Sequence, residues 1–84
     1  MAKTYLITGK NCSNCGMLKK MLNLMKLSVD GEIDAYSEEG SSYIGQVGAR
    51  SIPVLVKVDD NGNVLDSLVG ISHGDIRFKE VCGD

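Results

Sequence analysis

The sequence predicts an α/β fold: one mixed four-stranded sheet with helices on both faces. Apolar patterning changes along the chain in the order β-α-β-α-β-β-α, which accounts for four strands and three helices. The first strand–helix–strand segment predicts a parallel, right-handed unit. The turn at 59–63 includes Asn61-Gly62 and predicts a hairpin, whose strands are antiparallel because five residues cannot form a crossover.

Size and composition limit the kind of protein. With 84 residues we expect one domain spanning 1–84, with a site on its surface, because a chain this short buries only about 60–65 % of its unfolded surface. Hydrophobic residues make up 43 % and charged residues 24 %, which excludes a disordered tail and a membrane span. The net charge of −2 and the absence of Trp argue against a nucleic-acid surface.

The first two elements are a buried strand and an amphipathic helix. The strand is expected over 3–8, ended by Gly9, and the helix over 13–27. At about 100° per residue, six apolar helix residues fall on one arc of roughly 160°. They are Leu24, Met17, Met21, Met25, Leu18 and Leu22. We expect the methionines to fill the core. Leu27 does not fit the arc.

The middle of the chain has weaker signals. Asp30-Gly31 predicts a turn, followed by a short strand over 33–36. The next helix is expected over 38–47, although Gly40 and Gly45 lower its helix propensity.

The last three elements are a hairpin and a helix. A strong strand over 53–58 opens with the single proline, since proline is tolerated at a strand start. Its partner strand is expected over 64–69. Ser72 and Asp75 have the spacing of a capping box, which predicts that the last helix begins there. Its apolar face would hold Phe78, Val81 and Cys82.

The three cysteines divide into a pair and a single residue. Cys12 and Cys15 form a C-x-x-C motif, whereas a secreted domain stapled by disulfides would carry an even set of four or more. The apolar stretch 5–7 near the N-terminus is too short for a signal peptide or a membrane helix. We therefore expect a cytoplasmic protein, in which a C-x-x-C is catalytic or binds metal.

The position of the pair favours redox exchange. It follows the first strand and begins the first helix, at the edge of the sheet where α/β proteins bind ligands. Helix N–H groups and Lys10 would stabilise a thiolate at Cys12, and Ser13 and Asn14 could donate hydrogen bonds to it. Cys15 lies one turn on, within reach of a disulfide. Cys12 would attack a substrate disulfide, and Cys15 would resolve the mixed disulfide.

Two other interpretations of the motif stay open. Cys12 and Cys15 could be half of a zinc or iron–sulfur site, with Cys82 and His73 as further ligands. That site needs Cys82 to approach Cys12, whereas a lone cysteine on an apolar helix face is usually part of the core. His73 is expected on the surface at the start of the last helix. The spacing could also have no function.

Charge is segregated along the sequence. Residues 1–27 contain five lysines and no acid, and residues 30–39 contain five acids and no base. The reactive end is therefore expected to be positive, which would stabilise a thiolate or attract an anionic thiol such as glutathione. Lys19, Lys20 and Lys26 are interpreted as a solvated helix face, and Lys10 as the lysine at the site.

Three segments together resemble a known family. Lys10-Asn11-Cys12-Ser13-Asn14-Cys15, then Gly48-Ala49-Arg50-Ser51-Ile52-Pro53, then a hairpin ending in Val69-Gly70, resemble the thioredoxin fold. The short form, which begins directly at the active-site βαβ unit, is similar to glutaredoxins and glutaredoxin-like thioredoxins. The resemblance covers nearly the whole chain. It implies that Cys12 is the nucleophile, that Cys15 is the resolving thiol and that Pro53 is a cis proline facing them.

The resemblance also implies how substrates bind. Ile52 would offer its backbone N–H and C=O to an extended peptide or to glutathione, as a short β-augmentation. Lys10 and Arg50 resemble positions that hold the glutathione carboxylates in glutaredoxins. Gly70 matches the first residue of the glutaredoxin Gly-Gly pair.

The sequence departs from both patterns at the site. Ser13-Asn14 stands where glutaredoxins have Pro-Tyr, Ile71 replaces the second glycine of the Gly-Gly pair, and Asn11 stands where thioredoxins have Trp. These changes affect glutathione specificity and leave the dithiol chemistry intact.

The predicted function is a thiol–disulfide oxidoreductase that reduces protein or mixed disulfides. We expect a monomer without a bound cofactor, which receives electrons from glutathione as co-substrate or from a thioredoxin-reductase-like flavoprotein. The resemblance makes ribonucleotide reductase a plausible client. The alternatives are a glutathione-dependent monothiol mechanism with Cys15 dispensable, and a module that holds an iron–sulfur cluster through Cys12 across a dimer, with glutathione as co-ligand.

Overall fold

The computed structural model describes residues 1–83 and contains four strands and three helices. The elements are β1 (Lys3–Thr8), α1 (Ser13–Leu24), β2 (Gly31–Asp34), α2 (Glu38–Val47), β3 (Val54–Val58), β4 (Val64–Val69) and α3 (Asp75–Cys82). The predicted order of elements is confirmed. Within the described residues, no helix is both long enough and apolar enough to cross a membrane.

The strands form one sheet in the order β2-β1-β3-β4. β1 and β2 are parallel, whereas β3 is antiparallel to both β1 and β4. Ile7, near the end of β1, lies opposite Val54 at the start of β3, and Val54 lies opposite Val69 at the end of β4. The loops after β1, β2 and β4 and the loop before β3 therefore meet at one edge of the sheet.

Alternating side chains divide the core between the two faces of the sheet. Leu6, Leu55 and Leu68 point to one face, where they pack with residues of α1 and α3. Ile7 and Val54 point to the other face, against α2. Helices thus cover both faces, as the pattern predicts, and the two central strands are buried on both sides.

The helix α1 ends at Leu24, three residues before the predicted end. Lys26 has a left-handed backbone with φ of 58°, its N–H donates to Asn23 O, and the N–H of Leu27 donates to Leu22 O at 2.9 Å. This pattern is a Schellman motif, which reverses the chain and returns an apolar residue to the helix end. Leu27 packs against the core for this reason, although it lies off the helical arc.

The buried stripe of α1 is narrower than the predicted arc. Leu18 and Leu22 are buried, but Leu24 is 83 % exposed and Met17 is 50 % exposed. These two residues occupy one margin of the arc, beyond the line along which α1 meets the sheet. Met21 lies nearer the line and is half-buried against the core.

β2 begins two residues earlier than predicted, because Asp30 pairs with the start of β1. The backbone N–H of Asp30 donates to Thr4 O at 2.8 Å, and the Asp30 carboxylate accepts the Thr4 N–H at 2.8 Å. Gly31 then lies opposite Tyr5 and belongs to the strand, not to the predicted turn.

The predicted capping box at the start of α3 is wrong. The residue that caps the helix is Gly74, and no side chain accepts a hydrogen bond there. The N–H of His73 donates to Ile71 O at 3.0 Å, so Ser72 lies inside a tight turn that precedes the helix. The helix nevertheless buries Phe78 on its inner face, as expected.

The helix α2 has the predicted bounds, and Gly40 has a packing reason. Ser37 precedes the helix and its Oγ accepts the Gly40 N–H at 3.1 Å. A Cβ at Gly40 would overlap the carbonyl oxygen of Asp34 and come within 3.0 Å of Ala35 Cα. Glycine therefore lets α2 start directly against the end of β2.

The β3–β4 hairpin turns where Asn61-Gly62 predicts. The N–H of Gly62 donates to Asp59 O at 3.0 Å, and Gly62 has φ of 85°. The Asp59 carboxylate accepts the backbone N–H groups of Asn61 and Asn63, and the bonds from Asn63 are the main reason that the Asp59 pKa is lowered.

Candidate active site

Predicted site residues that are distant in sequence meet at one edge of the sheet. Cys12 follows β1, Ile52 and Pro53 precede β3, and Gly70 follows β4. The Sγ of Cys12 lies 3.9 Å from the Ile52 carbonyl oxygen. The N–H of Gly70 donates to Pro53 O at 2.8 Å, which ties the loop after β4 to the loop before β3.

Cys12 caps the N-terminus of α1 and forms a disulfide with Cys15. Their Cα atoms are 5.3 Å apart, and the backbone N–H of Cys15 donates to the Cys12 Sγ at 3.1 Å. The first turn of α1 contains no acidic residue. The Cys12 sulfur therefore faces the positive end of the helix dipole and a backbone donor, and both favour negative charge on it.

The two sulfur-bearing residues differ in exposure. Cys15 is 4 % exposed, whereas Cys12 is half-buried and borders an open groove of about 680 Å³. Cys15 borders the same groove but is almost fully covered, so Cys12 is the more accessible of the two cysteines. The exposed side chains of Ser13 and Asn14 make no hydrogen bond to Cys12 Sγ in the described residues. The donor to this sulfur is instead the backbone N–H of Cys15.

The loop before β3 presents a carbonyl to the disulfide. The Ile52–Pro53 peptide bond is cis, and Pro53 is fully buried. Across from this loop, a Cβ at Gly9 would come within 2.7 Å of Ile52 Cδ1. Glycine at position 9 thus lets the chain after β1 approach the loop closely.

The positive region expected at the site is offset by acidic residues from β2. Lys19 forms a salt bridge with Glu32 at 2.9 Å, and Thr8 Oγ1 donates to the same carboxylate at 2.7 Å. These bonds, that from Lys19 first, lower the pKa of Glu32. Lys10 borders a second groove together with Asp34. Parallel pairing of β1 with β2 brings together charges that are segregated along the sequence.

Arg50 is exposed and borders a third groove, beside Ile52. It therefore lies in a different groove from Lys10, although the resemblance assigns both residues to one ligand. Thr8, Glu32 and Tyr36 also border these grooves, and sequence patterns did not single them out, because strand pairing alone decides which loops are neighbours.

Cys82 lies at the opposite edge of the sheet. Its neighbour Val81 accepts a hydrogen bond from Thr4 Oγ1 at 2.6 Å, near the start of β1. Cys12 follows the other end of β1, which is about 13 Å away for four residues at 3.3 Å each. Burial raises the pKa of the Cys82 thiol.

The predicted ligand set of a metal site is not assembled. His73 Nε2 lies 2.8 Å from Val69 O, and its ring meets the edge of Phe78, so it is half-buried rather than a free surface residue. In the part of the chain that the structure describes, no three His, Cys, Asp or Glu side chains converge on a common point.

Solved structures with a similar fold are thioredoxins and a glutaredoxin. A reduced thioredoxin pre-protein from Schistosoma mansoni is 13 % identical, with a TM-score of 0.63 over 95 % of this chain and 78 % of that chain. A glutaredoxin from Archaeoglobus fulgidus is 25 % identical, with a TM-score of 0.56 over 96 % of this chain and 86 % of that chain.

A third similar structure is thioredoxin f2, solved in a complex with ferredoxin:thioredoxin reductase. It is 14 % identical, with a TM-score of 0.59, and the match covers 82 % of this chain and 64 % of that chain. No protein-family model matches the sequence, and no curated protein matches it. The likeness to these proteins therefore lies in the fold.

Proposed function

Because this chain is a thioredoxin-fold protein, we propose that it acts as a thiol–disulfide oxidoreductase that reduces disulfides of client proteins. One observation carries the proposal: the accessible sulfur of Cys12 caps α1, is bonded to the buried Cys15 and faces the Ile52 carbonyl. The arrangement combines a reactive sulfur, a resolving sulfur and a backbone edge for docking.

The proposed reaction has two exchange steps. The Cys12 thiolate attacks one sulfur of the client disulfide, that bond breaks, and the other client sulfur leaves as a thiolate and takes up a proton. The Cys15 thiol then loses its proton and attacks Cys12 Sγ, which releases the second client sulfur. The client gains two electrons, and the Cys12–Cys15 disulfide forms.

The local structure supports Cys12 as the attacking residue. Its Sγ accepts the Cys15 N–H and lies at a helix N-terminus, where a thiolate is stabilised relative to the thiol. Cys15 is only 4 % exposed, and it is bonded to Cys12. A client disulfide consequently reacts at Cys12, and the buried Cys15 then resolves the mixed disulfide.

The docking edge in this proposal is the loop before β3. An extended client segment would pair with the backbone of Ile52, whose carbonyl already lies beside the reactive sulfur. Gly70, held to Pro53 by a backbone hydrogen bond, borders the same loop from the β4 side. Ser13 and Asn14 would contact the client from the exposed first turn of α1.

The electron donor in the proposal is external. We propose a thioredoxin-reductase-like flavoprotein or glutathione as the reductant, with a monomeric protein, no bound cofactor and a cytoplasmic location. Ribonucleotide reductase is a proposed client. Support for a protein reductant is that thioredoxin f2, which has this fold, was solved in a complex with a reductase. For glutathione, the support is the exposed Lys10, which stands two residues before Cys12.

The test is insulin reduction with each reducing system in turn. We expect the wild type to reduce insulin with NADPH and a thioredoxin reductase, or with glutathione and its reductase. Cys12→Ser should abolish turnover because no attacking sulfur remains, while Cys82→Ser should retain it. Activity that survives Cys12→Ser would refute the assignment.

The variant Cys15→Ser separates the two exchange mechanisms. We expect it to stop reduction of protein disulfides and to accumulate a mixed disulfide with the client, visible as a mass shift under non-reducing conditions. Undiminished turnover with glutathione mixed disulfides would show that the monothiol route suffices for that substrate.

A further inference from the structure

A small apolar groove lies beside the docking edge and has no role in the exchange chemistry. It has a volume of about 290 Å³, and Tyr36, Ile44, Ala49, Arg50 and Ile52 border it. That volume is near the lower limit of about 300 Å³ for ligand pockets, so the groove has room for a side chain rather than a cofactor. Its apolar walls come from α2 and from the loops before α2 and before β3.

Tyr36 is exposed, and its ring lies beside the loop that carries the cysteine motif. Its side chain is 77 % exposed, while its backbone N–H donates to the Asp34 carboxylate at 2.9 Å. Its ring lies against the glycine before the cysteine motif, since a Cβ at Gly9 would come within 3.1 Å of Tyr36 Cε2. An uncovered aromatic ring offers contact area at a low entropic cost, because it has few side-chain torsions to fix.

Ile52 connects the groove with the reactive site, because it borders both. The Ile52 carbonyl lies 3.9 Å from Cys12 Sγ, and the side chain of the same residue forms a wall of the groove. An extended chain advances about 3.3 Å per residue. A client paired with Ile52 would therefore place a side chain within two positions of its reacting cysteine over this groove.

The charge of Arg50 indicates which kind of peptide would bind in the groove. Arg50 is the charged residue that borders the groove, and it forms no salt bridge with any residue in 1–83. A carboxylate next to the apolar side chain would complement it. Glutathione has no apolar side chain, so the groove fits a protein segment better than the tripeptide.

We propose that this groove selects clients by sequence: it binds an aromatic or large aliphatic side chain within two positions of the reacting cysteine, and Arg50 favours an acidic residue beside it. The inference rests on the proposed oxidoreductase function and names the substrate class of that site.

The experiment uses short disulfide-linked homodimeric peptides, in which attack on either sulfur is equivalent. One peptide has alanines around its cysteine, and four others carry one Phe, at either of the two positions on each side. Pre-reduced protein is mixed with each peptide in single turnovers, so no reductase is needed. We expect at least one Phe peptide to react with a second-order rate constant about tenfold above that of the alanine peptide.

Two substitutions test which residues cause the preference, and a third is the control. Tyr36→Ala should bring the ratio of the Phe and Ala rate constants close to one, and Leu24→Ala, a matched removal of an exposed apolar side chain at the far end of α1, should leave it unchanged. Adding Glu beside the Phe should raise the rate a further two- to threefold, and Arg50→Gln should remove that increment alone.

The outcomes separate this inference from the proposed function. Equal rate constants for all peptides with the wild type, or a Phe preference that survives Tyr36→Ala, would overturn the groove while leaving the exchange activity intact. If the reduced wild type reacts with none of the peptides, the proposed function itself fails. Circular dichroism of each variant confirms that the comparison is between folded proteins.

Discussion

Cys12 and Cys82 are both half-buried cysteines at helix ends, yet their surroundings are opposite. Cys12 caps the N-terminus of α1 and accepts a backbone N–H, in an open groove. Cys82 is the last residue of α3, at the carboxyl end of the helix dipole, and burial raises the pKa of its thiol. The helix dipole favours a thiolate at the first position and disfavours it at the second.

We therefore expect Cys12 and Cys82 to differ in reactivity although both are half-buried. The sheet places the two residues at opposite edges, because Cys12 follows β1 and α3 ends beside the start of β1. The edge where β1 and β2 end collects the four loops of the candidate site. The other edge holds the end of α3 through the Thr4 hydroxyl.

The largest expected effect is a difference in alkylation. After reduction, iodoacetamide at pH 7 should modify Cys12 at least about tenfold faster than Cys82, because the thiolate reacts and the Cys82 thiol stays protonated. The labelling rate of Cys82 should rise as pH increases towards its raised pKa and level off above it. Peptide mass spectrometry against time measures both rates, and equal rates at pH 7 would remove the distinction between the two helix ends.

A smaller effect, on stability, is expected at the hydrogen bond that joins the end of α3 to the start of β1. Thr4→Val leaves the buried Val81 carbonyl without its donor and should lower the free energy of unfolding by about 1–2 kcal/mol. Thr4→Ser keeps the hydroxyl and is the matched control. Denaturant titration measures stability, and the Cys12 alkylation rate should stay the same. A changed rate would mean that the two edges are coupled.

The smallest effect is expected for Glu32 near the site. Its carboxylate is half-exposed, so Glu32→Gln should lower the free energy of unfolding by at most about 1 kcal/mol at pH 7. The bonds from Lys19 and Thr8 hold its folded pKa below the ordinary 4.5, so this stability is present above pH 4.5 and is lost as pH falls through the folded pKa. Urea titrations should show a difference in unfolding free energy between the wild type and Glu32→Gln at pH 7 and none at pH 3. A difference that persists at pH 3 would assign the cost to packing.

Local signals were sufficient for most of the fold. The hairpin turn, the strong strands and the order of elements follow from apolar period and turn chemistry, which depend on neighbours in sequence. Gly40 shows the limit of such signals: its low helix propensity suggested a weak helix, whereas close approach to the Asp34 carbonyl requires glycine there. The predicted end of α1 is too late, because the left-handed residue that ends the helix is Lys26 and not a glycine, which the sequence would have signalled.

The sequence by itself determined the disulfide motif at the start of a helix, since spacing and a strand-to-helix transition are local. Only the tertiary structure decided what surrounds it. The pairing of β1 with β2 brings Glu32 to Lys19, and the loop carrying Tyr36 is set beside Ile52. The physical reason is that strand order and register decide which loops share an edge, and these depend on contacts between residues far apart in the chain.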